Sequence, residues 1–335
     1  NYNSHHYLLE GRCKRMIGRV NTGGGGSGGT LTVTAPANVT VTVSKDGKTK
    51  TKNSGTSGVV VFKGLASGTW TVTITGDGKT AQKNVVITTD YSTAISFNTI
   101  PEFTYTGDYE IVNDSDEPIT VSQGNWKIRF LTSGTLTFTN LNGAEGGIDV
   151  FLVGGGASGG AHIGDFMGGG GGGGYTTTKR AVIVQVNMDY KIVVGGISSN
   201  AGANGGDSSA FNQTAKGGKG GATHNGGNGG SGGGVGGNSN DGNYQASVGG
   251  TDGSDGKKAY RDGVEHGTPG TGQGTTTAEF GESGKKLYSP GGDGGSYQNN
   301  RKTIAGAGGQ GQNRTDDEIR GQAGIVIIRN AREAA

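Results

Sequence analysis

Ser27 and Ser231 each lie between glycines in the pattern Gly-x-Ser-x-Gly. In many hydrolases this pattern places a nucleophilic serine on a sharp turn between a strand and a helix. The sequence around Ser231 predicts neither a preceding strand nor a following helix, and both serines lie in runs made almost entirely of glycine. Composition therefore explains both matches, and we expect no serine nucleophile.

Histidines and carboxylates do not have the spacing of a metal site. The five histidines lack the paired spacings that hold zinc. Three acidic runs, at residues 114–117, 252–255 and 316–318, are rich in oxygen ligands but lack the twelve-residue pattern of a calcium loop. Cys13 is the single cysteine, so no disulfide within the chain is expected. We expect no metal, no cofactor and no enzymatic activity.

The remaining chemistry is that of recognition. Tyrosine and arginine bury a large contact area in binding loops, tyrosine can stack on sugar rings, and arginine pairs with phosphate or carboxylate. Eight residues in the segments between glycine runs are candidate receptor-binding residues: Tyr244, Tyr260, Arg261, His266, Phe280, Tyr288, Tyr297 and Arg301. The alternative for each is that it packs against the glycine-rich region or is simply exposed.

Composition restricts the classes of protein to which the chain can belong. Glycine accounts for 74 of 335 residues, hydrophobic residues for only 30%, and the formal net charge is +2. Such a balanced charge gives no general attraction to nucleic acid or to an anionic membrane. No apolar run approaches the ~18 residues that suggest a transmembrane helix. We expect neither a nucleic-acid partner nor membrane insertion.

The sequence predicts a mostly β chain in three parts. Residues 1–29 are predicted to form a basic attachment arm and a Gly/Ser linker, with an irregular terminal arm as the alternative for the basic segment. Residues 30–99 alternate apolar residues with threonine, which predicts a small β-sandwich that acts as a spacer. Residues 100–335 form a second β domain that carries a glycine-rich insertion at about 154–324. The apolar segment 323–328 needs strand partners, which we expect near residues 126–153 and 175–194.

The same patterns predict six strands in the first part of the second domain. They are Tyr105–Val112, Trp126–Leu131, Thr135–Phe138, Gly147–Val153, Tyr175–Val184 and Asp189–Val194. In the spacer, residues 58–65 followed by 68–73 resemble carboxypeptidase-regulatory-like and related bacterial surface sandwich modules. That resemblance implies a spacer or a weak carbohydrate-contacting unit.

The glycine-rich insertion could be either disordered or an ordered lattice. Ordering a glycine costs more conformational entropy than ordering any other residue, which favours disorder. The alternative is an ordered lattice of polyglycine-II helices, whose backbone groups point sideways and bond to neighbouring segments. Short repeated glycine clusters, such as 217–221 and 291–295, alternate with richer connections. This alternation favours the lattice.

The second domain resembles the glycine-rich domain of bacteriophage tail-tip adhesins. The residues that carry the resemblance are the segments 148–156, 168–178, 190–196, 205–211 and 321–329. In that family, packed polyglycine helices present loops that contact the host cell. The resemblance implies a virion protein that binds a host-surface glycan or protein and joins other tail subunits, here through residues 1–29. A trimer is consistent with a fibre, although a single copy at the tip also fits.

The sequence is also compatible with three other functions. The chain could be a purely structural virion component, such as a fibre, head decoration or baseplate part. It could be a bacterial surface adhesin. It could also be a polysaccharide-cleaving enzyme, although that chemistry needs two carboxylates at a set separation and no such signature is present.

Overall fold

The protein forms two compact units, residues Asn1–Phe97 and Asn98–Ala335. The structure, a computed structural model, describes residues 28–122, 124–163, 167–223, 225–236, 259–261, 264–266, 277–295, 302–312 and 319–332. The predicted arm and most of the linker lie outside these residues. None of the described helices is long and apolar enough to cross a membrane.

The first unit is a β-sandwich of two sheets. Its strands are β1 (Gly29–Thr34), β2 (Thr40–Lys45), β3 (Lys48–Asn53), β4 (Val59–Leu65), β5 (Gly68–Gly76), β6 (Lys79–Ile87) and β7 (Tyr91–Ala94). One sheet has the order β4-β1-β7 and the other β3-β2-β5-β6. Because successive side chains of a strand face opposite sides, Val41, Val43 and Val72 all pack in one shared core. Trp70 is buried in the same core, as its strand pattern indicates.

The second unit contains a larger β-sandwich. The described strands of this unit are β8 (Glu102–Tyr105), β9 (Tyr109–Val112), β10 (Lys127–Phe130), β11 (Gly134–Asn140), β12 (Ile148–Val153), β13 (Thr176–Val182), β14 (Asp189–Ile192), β15 (Ser208–Ala210), β16 (Gln213–Ala215), β17 (Ala259–Arg261), β18 (Val264–His266) and β19 (Ile325–Asn330). Of these, β15 and β16 form one separate hairpin and β17 and β18 another. A five-stranded sheet has the order β13-β12-β19-β10-β9, and a three-stranded sheet has the order β14-β11-β8. The mostly β fold class is confirmed.

The last strand finds its partners in one of the two predicted regions. β19 lies between β10 and β12, both within residues 126–153, and is antiparallel to both, whereas the described strands near residues 175–194 do not pair with it. The predicted single strand Tyr105–Val112 is wrong, because a turn at residues 106–108 divides it into β8 and β9. These two strands belong to different sheets of the sandwich, which a continuous strand could not reach.

Both faces of the five-stranded sheet are buried. Its first face, with Ile128, Phe130 and Leu152, packs against the three-stranded sheet. Residues 277–289 supply Phe280 and Tyr288 to a cluster on the second face with Phe151, Val153 and Ile327. Phe280 and Tyr288 are only 1% and 2% exposed. Their prediction as receptor-binding residues is wrong, because the second face of the sheet needs an apolar cover.

Candidate functional site

The glycine-rich region continues directly from three neighbouring strands. Residues 154–160 follow β12, residues 168–174 lead into β13, and residues 319–324 lead into β19. Together with these three, the described residues include nine extended segments of the glycine-rich region: 154–160, 168–174, 202–206, 216–222, 226–230, 231–236, 290–295, 306–312 and 319–324. We call these nine segments the glycine lattice.

Backbone hydrogen bonds in the glycine lattice repeat every third residue. From residues 154–160, the amides of Gly154, Ala157 and Gly160 donate to the carbonyls of Tyr175, Gly172 and Gly169 at 2.9, 3.0 and 2.7 Å. The amides between them donate to two other segments, 203–206 and 319–322. A three-residue repeat without internal hydrogen bonds is the geometry of a polyproline-II-type helix. The lattice is therefore a bundle of polyglycine-II-type helices.

Residues 168–174 lie at the centre of the glycine lattice. Their amides donate to carbonyls of residues 306–312, of residues 231–234 and of residues 216–222. Their carbonyls accept from amides of the remaining neighbours, residues 154–160, 227–230 and 292–295. Six segments therefore surround the central helix, and its backbone groups are satisfied although almost no side chains are present.

The lattice requires glycine because there is no room for a Cβ atom, and not because its backbone needs positive φ angles. Among the described lattice glycines, only Gly202 and Gly306 have positive φ, the conformation that usually selects glycine. A Cβ atom added at Gly168 would lie 1.8 Å from the carbonyl oxygen of Gly160, and one at Gly171 would lie 2.2 Å from that of Ala157. The helices can therefore approach closely only because no side chain separates them.

Buried serines complete the lattice where it meets the sheet. Ser231 donates its hydroxyl to the carbonyl of Ser289, and Ser289 donates to the carbonyl of Gly174. Ser208 donates to the carbonyl of Val153 at 2.6 Å and accepts from the amide of Gly195 at 2.8 Å. These hydroxyls pair backbone groups at positions where no neighbouring helix reaches them.

Two ion-pair clusters fix the cover of residues 277–289 to the sheet. In the first, Glu279 accepts from the Lys127 ammonium at 2.7 Å and from the Tyr288 hydroxyl at 2.8 Å. In the second, Asp149 bonds to Arg180 at 2.8 Å and to Arg329 at 3.1 Å, and Glu282 bonds to the same two arginines. The Arg329 guanidinium also lies 4.1 Å from the Phe280 ring centroid.

These clusters lower the pKa of two carboxyl groups. The hydrogen bond from Arg329 outweighs burial and lowers the pKa of Glu282 from 4.5 to about 2, and Arg180 adds to the effect. Burial would raise the pKa of Asp116, but hydrogen bonds from Arg129 and Lys127 lower it to about 2. Burial, followed by the negative charge of Glu279, raises the pKa of Tyr288. Both carboxyl groups therefore favour the folded state when they are ionised.

We expect the second unit to lose stability below about pH 4.5. The folded-state pKa values of Glu282 and Asp116 lie below the ordinary ones, so their contribution is complete above the ordinary values and is lost as the pH falls through about 2. The urea midpoint, measured from pH 7 to pH 2, should decrease in this window. Glu282→Gln should be less stable at pH 7 and less sensitive to pH. An equally steep decrease in that variant would contradict the assignment to Glu282.

The two ends of the glycine lattice differ. At the end next to the sheet, the helices join β12, β13 and β19. At the other end, which we call the distal end, Gly160, Gly168 and Gln312 bond to one another or to close neighbours. Connections leave this end after residues 160, 222, 236, 295 and 312. The sheet and the distal end therefore offer separate surfaces.

The candidate binding residues divide into three groups. Phe280 and Tyr288 are core residues, as described above. Tyr244, Tyr297 and Arg301 lie outside the described residues. Tyr260, Arg261 and His266 belong to the hairpin of β17 and β18, where Tyr260 pairs with Glu265, Arg261 with Val264 and His266 with Ala259. The structure thus brings three of the eight candidates together on one β-hairpin.

A cleft that no sequence pattern signals lies beside β14. It has a volume of about 560 Å³ and lies between that strand and the β15–β16 hairpin. The aromatic rings of Tyr190 and Phe211 belong to its lining. Phe211 has a φ of 49°, which is uncommon for a bulky residue, and no sequence pattern signals such a turn. Within the described part of the chain, no group of three or more His, Cys, Asp or Glu residues could hold a metal ion.

Comparison with known proteins assigns the part of the chain that holds the glycine lattice to one family. A search of the curated proteins found no match. Among solved structures, a DUF3823 family protein from Bacteroides ovatus ATCC 8483 matches at 9% identity over 57% of this chain and 94% of that chain; its TM-score of 0.20 supports no inference. A family model described as a glycine-rich domain matches residues 131–331. Because this match spans more than half of the chain, the protein belongs to the glycine-rich domain family.

Proposed function

We propose that the protein is a tail-fibre or tail-tip component of a phage or phage-like particle and attaches it to a host surface without covalent chemistry. The observation that carries this proposal is the glycine lattice, which five connections leave at the distal end. A rigid scaffold that holds loops at one end is suited to binding, because the loops lose little further entropy on contact. The receptor is a glycan or a protein of the host surface.

The chain positions of the candidate residues fit this proposal. Tyr244 follows Gly236 in the sequence, and Tyr297 follows Gly295; both glycines lie at the distal end. Residues 1–29 serve as the attachment to other subunits of the particle. Several copies per particle, for example in a trimer, raise the effective concentration at the host surface and convert weak contacts into firm adhesion.

A binding experiment with the full chain tests the proposal. We expect Tyr260→Ala and Arg261→Ala each to reduce binding to host cells by about tenfold, a typical effect of truncating an important interface residue. Tyr91→Ala is the matched control, because Tyr91 is an exposed tyrosine of the first unit. The variants should keep the wild-type circular dichroism and melting temperature. Absence of binding by the wild-type chain to any candidate host would contradict an attachment role.

One observation favours a purely structural role in the virion as the second candidate. Phe280 and Tyr288, two of the eight candidates, serve the core. If the β17–β18 hairpin also serves packing, its variants should melt at lower temperature instead of losing affinity. A bacterial surface adhesin would bind cells in the same way as the proposed attachment protein. The two are separated by whether antibodies against the chain label particles or the bacterial envelope.

A further inference from the structure

The cleft beside β14 lies within the sandwich frame of the second unit. Its walls come from the end of β13, from β14 and from the β15–β16 hairpin. Its volume of about 560 Å³ lies in the range of small-molecule sites. A second concavity of about 450 Å³ shares Asp189 and Lys191 with it and continues along the other side of β14 over Thr135 and Ile192. Together they form a groove long enough for more than one ring of a ligand.

Two aromatic rings lie in this cleft. The centroids of Tyr190 and Phe211 are 5.0 Å apart, and both side chains are only partly buried. The Tyr190 hydroxyl accepts a hydrogen bond from the amide of Gln185 at 2.7 Å, which fixes the ring. A fixed and partly exposed ring is a stacking surface for the C–H face of a sugar.

The turn that carries Phe211 has an unusual backbone. Phe211 and Asn212 have φ values of 49° and 58°, so both central residues of the β15–β16 hairpin are left-handed. Turns of this type prefer asparagine and glycine, and a bulky residue is a genuine outlier there. Such outliers are found preferentially where a side chain must be held for a ligand. The turn directs Phe211 and Asn212 to the same cleft.

Polar side chains line the cleft together with the apolar Val182, Ile183 and Met188. Asn212 and Gln213 offer amide groups, which can both donate and accept hydrogen bonds. Asp189 accepts from the Thr137 hydroxyl at 2.6 Å, and Lys191 lies two residues further along β14. The carboxylate and the ammonium balance each other in charge. The lining therefore suits a neutral ligand with many hydroxyl groups better than an anion or a cation.

We propose that this groove binds a neutral saccharide of two or more units. One ring stacks on Phe211 and Tyr190, its hydroxyls bond to Asn212 and Gln213, and the next ring extends past Asp189 and Lys191. This inference goes beyond the proposed function, because the groove lies on the sandwich frame and contains none of the eight candidate residues. It identifies a second site with its own ligand class.

Saccharide binding by the purified full chain tests this inference. The probes are the neutral disaccharides lactose, maltose, cellobiose, N,N′-diacetylchitobiose and mannobiose, and their binding is measured by saturation-transfer NMR and calorimetry. At least one should bind with a Kd near or below about 1 mM, since weak glycan sites lie in this range. No binding by any of them at concentrations up to about 10 mM would overturn the inference. Tighter binding of a sulfated than of a neutral disaccharide would do the same.

Paired asparagine variants locate the site. Asn212→Gly removes a lining amide and preserves the left-handed turn, because glycine readily adopts positive φ. It should weaken binding by about tenfold. Asn187→Gly is the matched control, since Asn187 is also exposed with a φ of 55° but does not line the cleft. Equal effects of the two variants would overturn the assignment of the groove.

A second pair of measurements distinguishes this site from the proposed attachment loops. Lys191→Ala changes an exposed side chain of the groove and should alter the preference among the disaccharides without unfolding the chain. Tyr260→Ala should leave disaccharide binding unchanged. A chain that binds disaccharides but not host cells would contradict the proposed attachment function and leave the groove proposal standing. Intact cell binding with no disaccharide binding overturns the groove alone.

Discussion

Gly171→Ala should destabilise the second unit by about 3 kcal/mol or more, a large effect for the addition of one methyl group. Gly171 lies in the central helix, where its amide donates to Gly309 and its carbonyl accepts from Gly292, each at 2.8 Å. The new Cβ would lie 2.2 Å from the carbonyl oxygen of Ala157 and 2.7 Å from that of Ser158. Both contacts are with backbone, so no side chain can rotate away, and the segment 154–160 must shift.

Gly196→Ala is the matched control, and its expected effect has the opposite sign. No atom lies within 4 Å of a Cβ added at Gly196, and its φ is not positive. Alanine at such a position restricts the unfolded chain and should be neutral or stabilise the protein by up to about 1 kcal/mol. Urea unfolding of both variants measures the difference. Similar stability of Gly171→Ala and Gly196→Ala would mean that the glycine lattice is not closely packed in solution.

Hydrogen exchange provides an independent measurement of the same property. The amides of residues 168–174 donate to three neighbouring segments, so their exchange requires separation of the central helix from its surroundings. They should exchange as slowly as the amides of β12 and β19. In Gly171→Ala the same amides should exchange faster, while those of β5 in the first unit remain unchanged. Fast exchange in the wild-type lattice would contradict the observed hydrogen bonding.

The sequence contained enough information for the sheets and for the type of lattice. Alternation of threonine with apolar residues predicts the strands of the first unit, because a two-residue period assigns each side chain to a face. The apolar β19 at the end of the chain requires two neighbours, which it finds in β10 and β12. Short glycine clusters predict close helices, because only glycine permits the observed approach.

The cover of the five-stranded sheet could not be predicted in the same way. In β10, Lys127 and Arg129 alternate with Ile128 and Phe130, a pattern that normally places the charged residues in water. All four side chains are buried, because Glu279 comes from a segment about 150 residues further along the chain. Period-two patterns describe one strand and contain no information on such a distant partner. For the same reason, Phe280 and Tyr288 resemble loop residues in the sequence.

Asp149→Asn should destabilise the second unit by about 3 kcal/mol. Asp149 is fully buried, and its carboxylate bonds to Arg180 at 2.8 Å and to both Nε and Nη2 of Arg329 at 3.1 Å. Its other oxygen accepts from the amide of Ala181 at 3.1 Å. Asparagine has the same shape, so the substitution leaves no cavity. It removes the negative charge and leaves the nearly buried Arg329 with Glu282 as its remaining partner.

The position of Arg329 determines what should accompany this loss. Arg329 connects Asp149 on β12 with Glu282 of the cover and lies over the Phe280 ring. A weaker hold on Arg329 should therefore loosen residues 277–289 before the sandwich core unfolds, and their amides should exchange faster than those of β11. Lys216→Ala is the control for an ordinary ion pair, because Lys216 and Asp207 are 70% and 45% exposed. It should cost at most about 1 kcal/mol. Equal effects of the two variants would show that the buried charges add no net stability, because their desolvation then offsets their attraction.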